Sequence, residues 1–325
     1  MAVNATFNEL YGGILFPTAP VTRGKKRARI VLLQQWNLLP TRPLCAANPP
    51  GHPMRLEARN NADGYRWRCY HQVAPGQACG KTRGLRVGTF FEGTNLDLGR
   101  LVYAIYLWTT RITGRSISDI SGISQNYVVV LRRRLPAICL NDLNQNPIFI
   151  DGSGGWTVQI DESLFNHKPK RVGGRPRGRR ARSQIWVFGM LETRPPAPGR
   201  GVYCVVPNRS RRTLTRIINH FLRGNNVTIH SDCWRGYLNL PNFVPRCALH
   251  QTVNHSRNFV DPITGAHIQG IESAWNRMKI RLKNAKGCRR EYLQQFLNEH
   301  MWFDWKAGND AFASICRAIN DRFPV

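Results

Sequence analysis

The sequence predicts an α/β fold, a mixed sheet with helices on its faces, preceded by a small cysteine-containing unit and a helical region. Strand-like segments come first, strands and helices then alternate, and a stretch rich in Cys and Gly precedes them. Apolar residues alternate or cluster as in strands within 156–161, 184–191, 201–206 and 227–232, and a last strand is expected within 243–249.

Helices are expected between and after these strands. Residues 213–222 and 268–283 repeat apolar side chains at helical spacing. In the second helix one apolar face is formed by Ile268, Ile271, Trp275, Met278 and Leu282.

Changes in composition predict four segments, because 325 residues are too many for one ordinary core. Residues 1–44 are basic and contain a helical patch at 30–39. Residues 45–92 are poor in helix formers, residues 93–150 are helical, and residues 151–325 form the α/β segment.

The charge balance predicts a polyanionic partner. Lys and Arg number 47 against 19 Asp and Glu, a formal net charge of +28. Such a charge destabilises a compact fold by self-repulsion, whereas DNA phosphates neutralise it and release condensed counterions. We therefore expect binding to double-stranded DNA that weakens steeply with salt.

Several classes of protein are disfavoured. No run approaches the 18 or so apolar residues that span a bilayer, and the first twenty residues do not read as a secretory signal, so a membrane is not expected. Nine scattered cysteines, an odd number, favour a reducing compartment. The basic run 25–29 reads equally well as a nuclear import signal, a phosphate-contacting arm or a solvated face.

Two regions are candidates for DNA contact. A short helix at 116–120, Gly122 and a helix at 125–135 follow the order of a helix-turn-helix, although two packed core helices would fit equally well. The second helix carries Arg132, Arg133 and Arg134. Glycines and prolines exclude a regular helix between the first two strands, and we interpret that stretch as an extended loop along phosphates, with the basic residues Lys168, Lys170, Arg171, Arg175, Arg177, Arg179 and Arg180.

Three acids have positions that suit metal binding. Asp161 and Asp232 are expected at the ends of two strands, where ligands collect in open α/β sheets, and Glu272 borders the apolar face of the last long helix. Carboxylate oxygens suit Mg²⁺ or Mn²⁺, and Lys279 and Lys283 continue the Glu272 edge toward a bound strand. Ion pairs with neighbouring basic residues are the alternative for each acid.

Three blocks of sequence resemble the Merlin superfamily of DNA transposases and their bacterial insertion-sequence relatives. They are residues 160–163 (Ile-Asp-Glu-Ser), 230–237 (His-Ser-Asp-Cys-Trp-Arg-Gly-Tyr) and the long block 253–275 that contains Glu272. The resemblance covers about residues 60–305.

The resemblance implies an RNase H-like catalytic domain with Asp161, Asp232 and Glu272 as the metal-binding triad. Such an enzyme would nick element ends and use the freed 3′ hydroxyl to attack target DNA. Glu162 should face the other side of its strand and stays outside the triad. His255 and His267 would either orient a phosphate or a water, or satisfy backbone carbonyls.

The resemblance also implies a zinc ribbon in the cysteine-containing unit. A structural Zn²⁺ takes four Cys or His ligands, and Cys45, Cys69 and Cys79 supply three. A close Cys-x-x-Cys pair after Cys45 is absent, so His52 is the preferred fourth ligand and His71 the reserve. Three buried cysteines without metal are the alternative.

The predicted function is a nuclear DNA transposase that binds element ends and target DNA, with a homodimer as one way to hold two ends. Two other functions stay open: a host DNA-binding protein that keeps the fold without catalysis, and a structure-selective nuclease that does not join strands.

Overall fold

The computed structural model describes residues 21–46, 51–165, 171–172, 175–176, 184–194, 197–254 and 257–325. Within it the helices are α1 (Arg23–Gln35), α2 (Leu98–Thr109), α3 (Gly114–Ser121), α4 (Gln125–Gln145), α5 (Arg211–Phe221), α6 (Gln269–Asn284), α7 (Leu293–Trp305) and α8 (Ala311–Arg322). The strands are β1 (Arg55–Ala58), β2 (Tyr65–Arg68), β3 (Gln72–Ala74), β4 (Gln77–Ala78), β5 (Thr82–Gly84), β6 (Thr157–Leu164), β7 (Arg171–Val172), β8 (Arg175–Pro176), β9 (Trp186–Arg194), β10 (Ala197–Val206), β11 (Val227–Asp232) and β12 (Cys247–Val253).

The chain forms two compact units. The first unit comprises residues 1–142 with 307–325, and the second comprises residues 143–306. The last helix, α8, therefore lies outside the sheet-containing unit, whereas the sequence had placed all of 151–325 together. Its Phe312 makes edge-on ring contacts with Trp36 at 5.6 Å and Tyr106 at 5.8 Å, which explains why it packs with the first unit.

The first helix of the described residues starts seven residues earlier than its apolar patch suggested. The Thr22 hydroxyl accepts the Lys25 N–H, so α1 starts at Arg23 and its basic residues lie inside the helix. Buried Arg29 forms an ion pair with Asp97 at 2.6 Å, and Asp97 also accepts the Arg100 N–H at the start of α2. One carboxylate thus links α1 to α2.

A small β unit follows α1. Strands β1, β2 and β5 form an antiparallel three-stranded sheet, and β3 and β4 form a separate hairpin. Trp67 is almost fully buried in this region. These short sheets occupy the stretch for which a zinc ribbon was predicted.

Helices α3 and α4 have the predicted helix-turn-helix order. Gly122 ends α3 with a left-handed φ of 69°, which glycine adopts without strain, and the Ser124 hydroxyl accepts the Tyr127 N–H at the start of α4. Helix α4 runs to Gln145, ten residues beyond the predicted end, and includes Pro136. Buried Ile138 and Cys139 continue its apolar face past the proline.

The second unit is built on a five-stranded mixed sheet in the order β10-β9-β6-β11-β12. Strands β9 and β10 are antiparallel to their neighbours, whereas β11 is parallel to β6 and β12 is parallel to β11. This confirms the α/β prediction in its general form. Strand β12 begins at Cys247, so the strand expected within 243–249 was placed too early.

Helices α6 and α7 pack on the sheet. The apolar face predicted for α6 is confirmed, because Ile271, Trp275 and Met278 are buried. Gln294 of α7 bonds to strand β10, accepting the Val205 N–H at 2.8 Å and donating to the Tyr203 carbonyl at 3.2 Å. None of the described helices is both long and apolar enough to cross a bilayer.

Candidate functional site

Asp161 and Asp232 lie on adjacent parallel strands, each two residues beyond the last paired residues, Gln159 of β6 and His230 of β11. A continuation of that register would bring the two aspartates level. Level residues on neighbouring parallel strands point to the same face of a sheet, about 4.8 Å apart at the backbone. Asp232 ends its strand as predicted, whereas β6 continues three residues beyond Asp161 because it pairs with β9 as far as Leu164.

Helix α6 packs on β6 and carries Glu272 near enough to Asp161 for the two charges to interact. Trp275, one turn beyond Glu272, donates its indole N–H to Asp161 Oδ2 at 2.9 Å. The negative charges of Asp232 and Glu272 both raise the pKa of Asp161. The convergence of the three acids on one metal site stays a prediction. Trp275, which sequence reasoning assigned only to the core, contacts Asp161.

Burial and charge repulsion dominate the electrostatics of Asp161. Desolvation raises its pKa to about 7, the Trp275 hydrogen bond opposes that shift, and the charge of Asp232 adds to it. The main-chain N–H of Trp234 donates to Asp232 Oδ1 at 3.0 Å. Clustered hard oxygen donors whose charges repel fit a divalent cation of the Mg²⁺ or Mn²⁺ kind.

The carboxylates are not preassembled as tightly as a complete ligand shell. Among the described residues, one cysteine cluster has three ligand atoms that all lie within 4.8 Å of one another. The oxygens of the three acids do not lie that close together. Their fit to a cation rests on the chemistry and convergence of the donors.

Glu162 belongs to the other face of β6 by strand alternation. Burial raises its pKa to about 7, and the charges of Asp161 and Asp232 add to the shift.

Glu192 was missed by sequence reasoning. Glu192 is buried and accepts hydrogen bonds from the main-chain N–H groups of Asp151 at 2.6 Å and Gly152 at 2.8 Å. These bonds hold the backbone of the segment just before β6.

These shifts predict that the fold is least stable at high pH when no divalent cation is added. An acid with a raised folded-state pKa keeps its proton while the unfolded chain loses its own, so the free energy of unfolding falls as pH rises from about 4 to 7. Urea titrations of wild type and Asp161→Asn between pH 5 and 8 should show a smaller fall for the variant. Parallel pH profiles would contradict the assigned burial.

Of the two histidines that the sequence analysis singled out near Glu272, the structure describes one. His267 lies in the segment before α6, where its Nδ1 is 3.2 Å from the Gln159 side-chain nitrogen and its N–H is 3.4 Å from His230 Nδ1. His255 lies outside the described residues.

The first unit contains a cluster that could hold zinc. The sulfurs of Cys45, Cys69 and Cys79 all lie within 4.8 Å of one another, with Cys45 and Cys79 at 3.8 Å. The rings of His52 and His71 are stacked with centroids 3.4 Å apart. In the part of the chain that the structure describes, His52 Nδ1 is buried without a hydrogen-bond partner, which is expected of a nitrogen that ligates a metal.

The predicted DNA-contacting residues are distributed over both units. Arg132 and Arg133 are exposed on α4, whereas Arg134 is occupied within the first unit, where it donates to the Phe90 carbonyl and stacks on the Phe90 ring at 4.3 Å. Lys279 and Lys283 are exposed on α6.

The basic loop between β6 and β9 is described only in part. Arg171 and Arg175 belong to the short antiparallel strands β7 and β8, so this stretch contains strand residues where the sequence predicted an extended loop alone. The remaining predicted contacts lie outside the described residues: Lys168, Lys170, Arg177, Arg179 and Arg180.

Comparison with known proteins identifies one domain family. Residues 152–304 match the model of the ISXO2-like transposase domain, a span that contains the whole five-stranded sheet and all three acids. The match supports a transposase family of the DDE, insertion-sequence type. No curated protein matches the chain.

Proposed function

We propose that this protein is a DNA transposase that binds element ends and catalyses metal-dependent strand cleavage and strand transfer. The observation that carries the proposal is that the charges of Asp232, on the adjacent strand, and of Glu272, on α6, both raise the pKa of Asp161, inside the span that matches a transposase domain. The three acids act as the metal-binding triad.

The sheet supports an RNase H-like assignment for the second unit. Its first three strands form an antiparallel meander with β6 inside the sheet, and the two later strands extend it in parallel on the other side of β6. The acids then come from the central strand, its parallel neighbour and a later helix. Membership of the Merlin superfamily is part of the proposal and rests on the three sequence blocks.

The chain's own residues set up the reaction. Mg²⁺ or Mn²⁺, when bound, would supply activation of the attacking oxygen and stabilisation of the leaving one. The Trp275 indole and the Trp234 N–H each hold one oxygen of an aspartate, which fixes the orientation of both carboxylates. Lys279 and Lys283 follow Glu272 along α6 at helical spacing, where they would contact strand phosphates.

The first unit would hold the element end. Helix α4 presents exposed Gln125, Asn126, Val129 and Val130 in its first two turns and Arg133 in the next. In a helix-turn-helix the first turns of the second helix reach base edges, and carboxamides and small apolar groups are suited to adenine and thymine. A zinc ion bound by Cys45, Cys69 and Cys79 would stabilise the neighbouring small sheets, and a homodimer would hold two ends together.

Phosphate binding predicts that DNA affinity falls steeply with salt, and part of that slope should come from Arg132 and Arg133. Replacing Arg132 and Arg133 by Gln should lower the slope of log affinity against log salt by about 0.9 for each phosphate that the variant no longer neutralises. Arg322→Gln is the matched control, because that side chain bonds Asn141 on α4. Fluorescence anisotropy at four salt concentrations measures the slopes, and unchanged slopes for the double variant would place the DNA interface elsewhere.

The function is tested with duplexes selected for binding from a random pool, presented intact or with a pre-cut 3′ end, together with a plasmid target. Joined products that require Mg²⁺ or Mn²⁺ are expected. Tight binding without cleavage would favour a host DNA-binding protein. Cleavage without joining under any metal condition would favour a nuclease.

A further inference from the structure

The helix that carries Glu272 has no side-chain cap of its own. The first N–H groups of a helix lack intrahelical partners, and a polar N-cap side chain usually satisfies one at the second or third helical residue. The residue before α6 is Ile268, which has no side-chain acceptor. Instead the N–H of Ile271, the third helical residue, donates to Gln159 Oε1 at 3.0 Å. A strand residue 112 positions earlier thus supplies the cap.

Gln159 is part of a polar row that crosses three strands. The register pairs it with His230, which in turn pairs with Gln251 of β12. His230 Nε2 lies 3.1 Å from Gln251 Oε1, and His230 Nδ1 lies 3.3 Å from the carbonyl oxygen of His267 and 3.4 Å from its main-chain nitrogen. The Gln159 amide nitrogen donates to His267 Nδ1 at 3.2 Å. The row therefore holds both the first turn of α6 and the segment just before it.

Close packing leaves the helix little freedom over this row. Gln159 is fully buried. A Cβ at Gly270 would lie 2.7 Å from Gln159 Oε1 and 2.8 Å from Thr193 Cγ2, which no side chain tolerates without a shift. Ile271 is directly followed by Glu272, and Asp161 lies two residues beyond Gln159 on the same face of the same strand. One hydrogen bond thus connects the strand of one proposed metal ligand to the helical turn of another.

We propose that Gln159 is a positioning residue that sets Glu272 relative to Asp161 and Asp232, with His230 and His267 holding its amide in orientation. The proposal rests on the metal-binding role proposed above for the three acids. Without the Gln159 oxygen, the Ile271 N–H is buried with no acceptor. The first turn of α6 can then satisfy this N–H only by moving or fraying, and either change carries Glu272 away from the aspartates.

Gln159→Met tests this, because it keeps length and burial and removes the acceptor, while Gln159→Glu restores an acceptor oxygen. We expect the affinity for Mn²⁺, measured by electron paramagnetic resonance, to fall about tenfold in Gln159→Met and to return toward wild type in Gln159→Glu. Joining of pre-cut DNA should need correspondingly more Mn²⁺, with DNA affinity unchanged. Gln294→Met is the matched control: it breaks a similar pair of helix-to-strand bonds at the other end of the sheet.

Three outcomes would overturn the inference. Unchanged Mn²⁺ affinity in Gln159→Met would do so whether or not the protein joins DNA. An equal loss in Gln294→Met would show that any weakened helix–sheet contact has this effect. A wild-type protein that binds Mn²⁺ but joins no DNA would refute the proposed function and leave the positioning role supported, whereas a wild type that binds no Mn²⁺ would remove both.

Discussion

Replacing Asp232 with Asn is expected to abolish strand cleavage and joining, with a rate loss on the order of 10³-fold or more, and to leave DNA affinity intact. Asn keeps the shape of Asp232 and its acceptor for the Trp234 N–H, but it removes the negative charge that a divalent cation requires. The same result is expected for Asp161→Asn and Glu272→Gln, because each supplies a charge to one shared site. Cleavage and joining of pre-cut duplexes, with binding measured on the same protein, check it.

Glu162 provides an internal control for this prediction. It is the next acid along β6, also buried, and its pKa is raised to about the same value as that of Asp161. Strand alternation places it on the opposite face, away from α6. Glu162→Gln should therefore keep most of the activity. A loss as large as that of Asp161→Asn would mean that buried negative charge near β6, rather than the face shared with Asp232, determines activity.

The sequence predicted the end of β11 and the bounds of α6 well because these depend on local periodicity. Strand β11 ends at Asp232 as predicted, and α6 differs by one residue at each end from the predicted 268–283. Alternation and helical spacing are patterns over a few neighbouring residues, so they can be recognised without knowledge of the tertiary contacts. The proximity of Asp161 and Asp232 needed more, since it depends on the register between two strands, and the two residues are 71 positions apart in the chain.

The features that sequence reasoning missed depend on distant partners. Nothing near Ile268 indicates that Gln159 caps α6, and Gln159 itself looks like an ordinary polar residue in an alternating strand. Residues 151–325 were predicted to form one segment, yet Phe312 of α8 has its aromatic partners in the first unit. The sequence indicated Arg134 as a DNA-contacting residue together with Arg132 and Arg133, but in the structure its guanidinium stacks on the ring of Phe90.

Removing zinc is expected to unfold the small β unit and with it to reduce specific DNA binding strongly. Structural zinc sites contribute roughly 10–16 kcal/mol of apparent binding free energy to folding, far more than the short sheets β1-β2-β5 and β3-β4 can supply by packing. Zinc content, circular dichroism and DNA anisotropy before and after treatment with a chelator measure the effect. Full refolding and binding after zinc is restored, but not after magnesium, is the expected control.

The same experiment distinguishes the fourth ligand. The three sulfurs lie within 4.8 Å of one another, and neither His52 nor His71 belongs to that group as the rings stand, stacked on each other. Of the two, only His52 has a buried ring nitrogen that lacks a partner among the described residues. His52→Ala should therefore lower zinc affinity by a factor of about 10² or more, while His71→Ala keeps the fourth ligand and loses only the stacking. The opposite order would assign the ligand to His71. Equal zinc retention in both variants, together with unchanged folding in the chelator, would mean that Cys45, Cys69 and Cys79 are a buried thiol cluster that needs no metal.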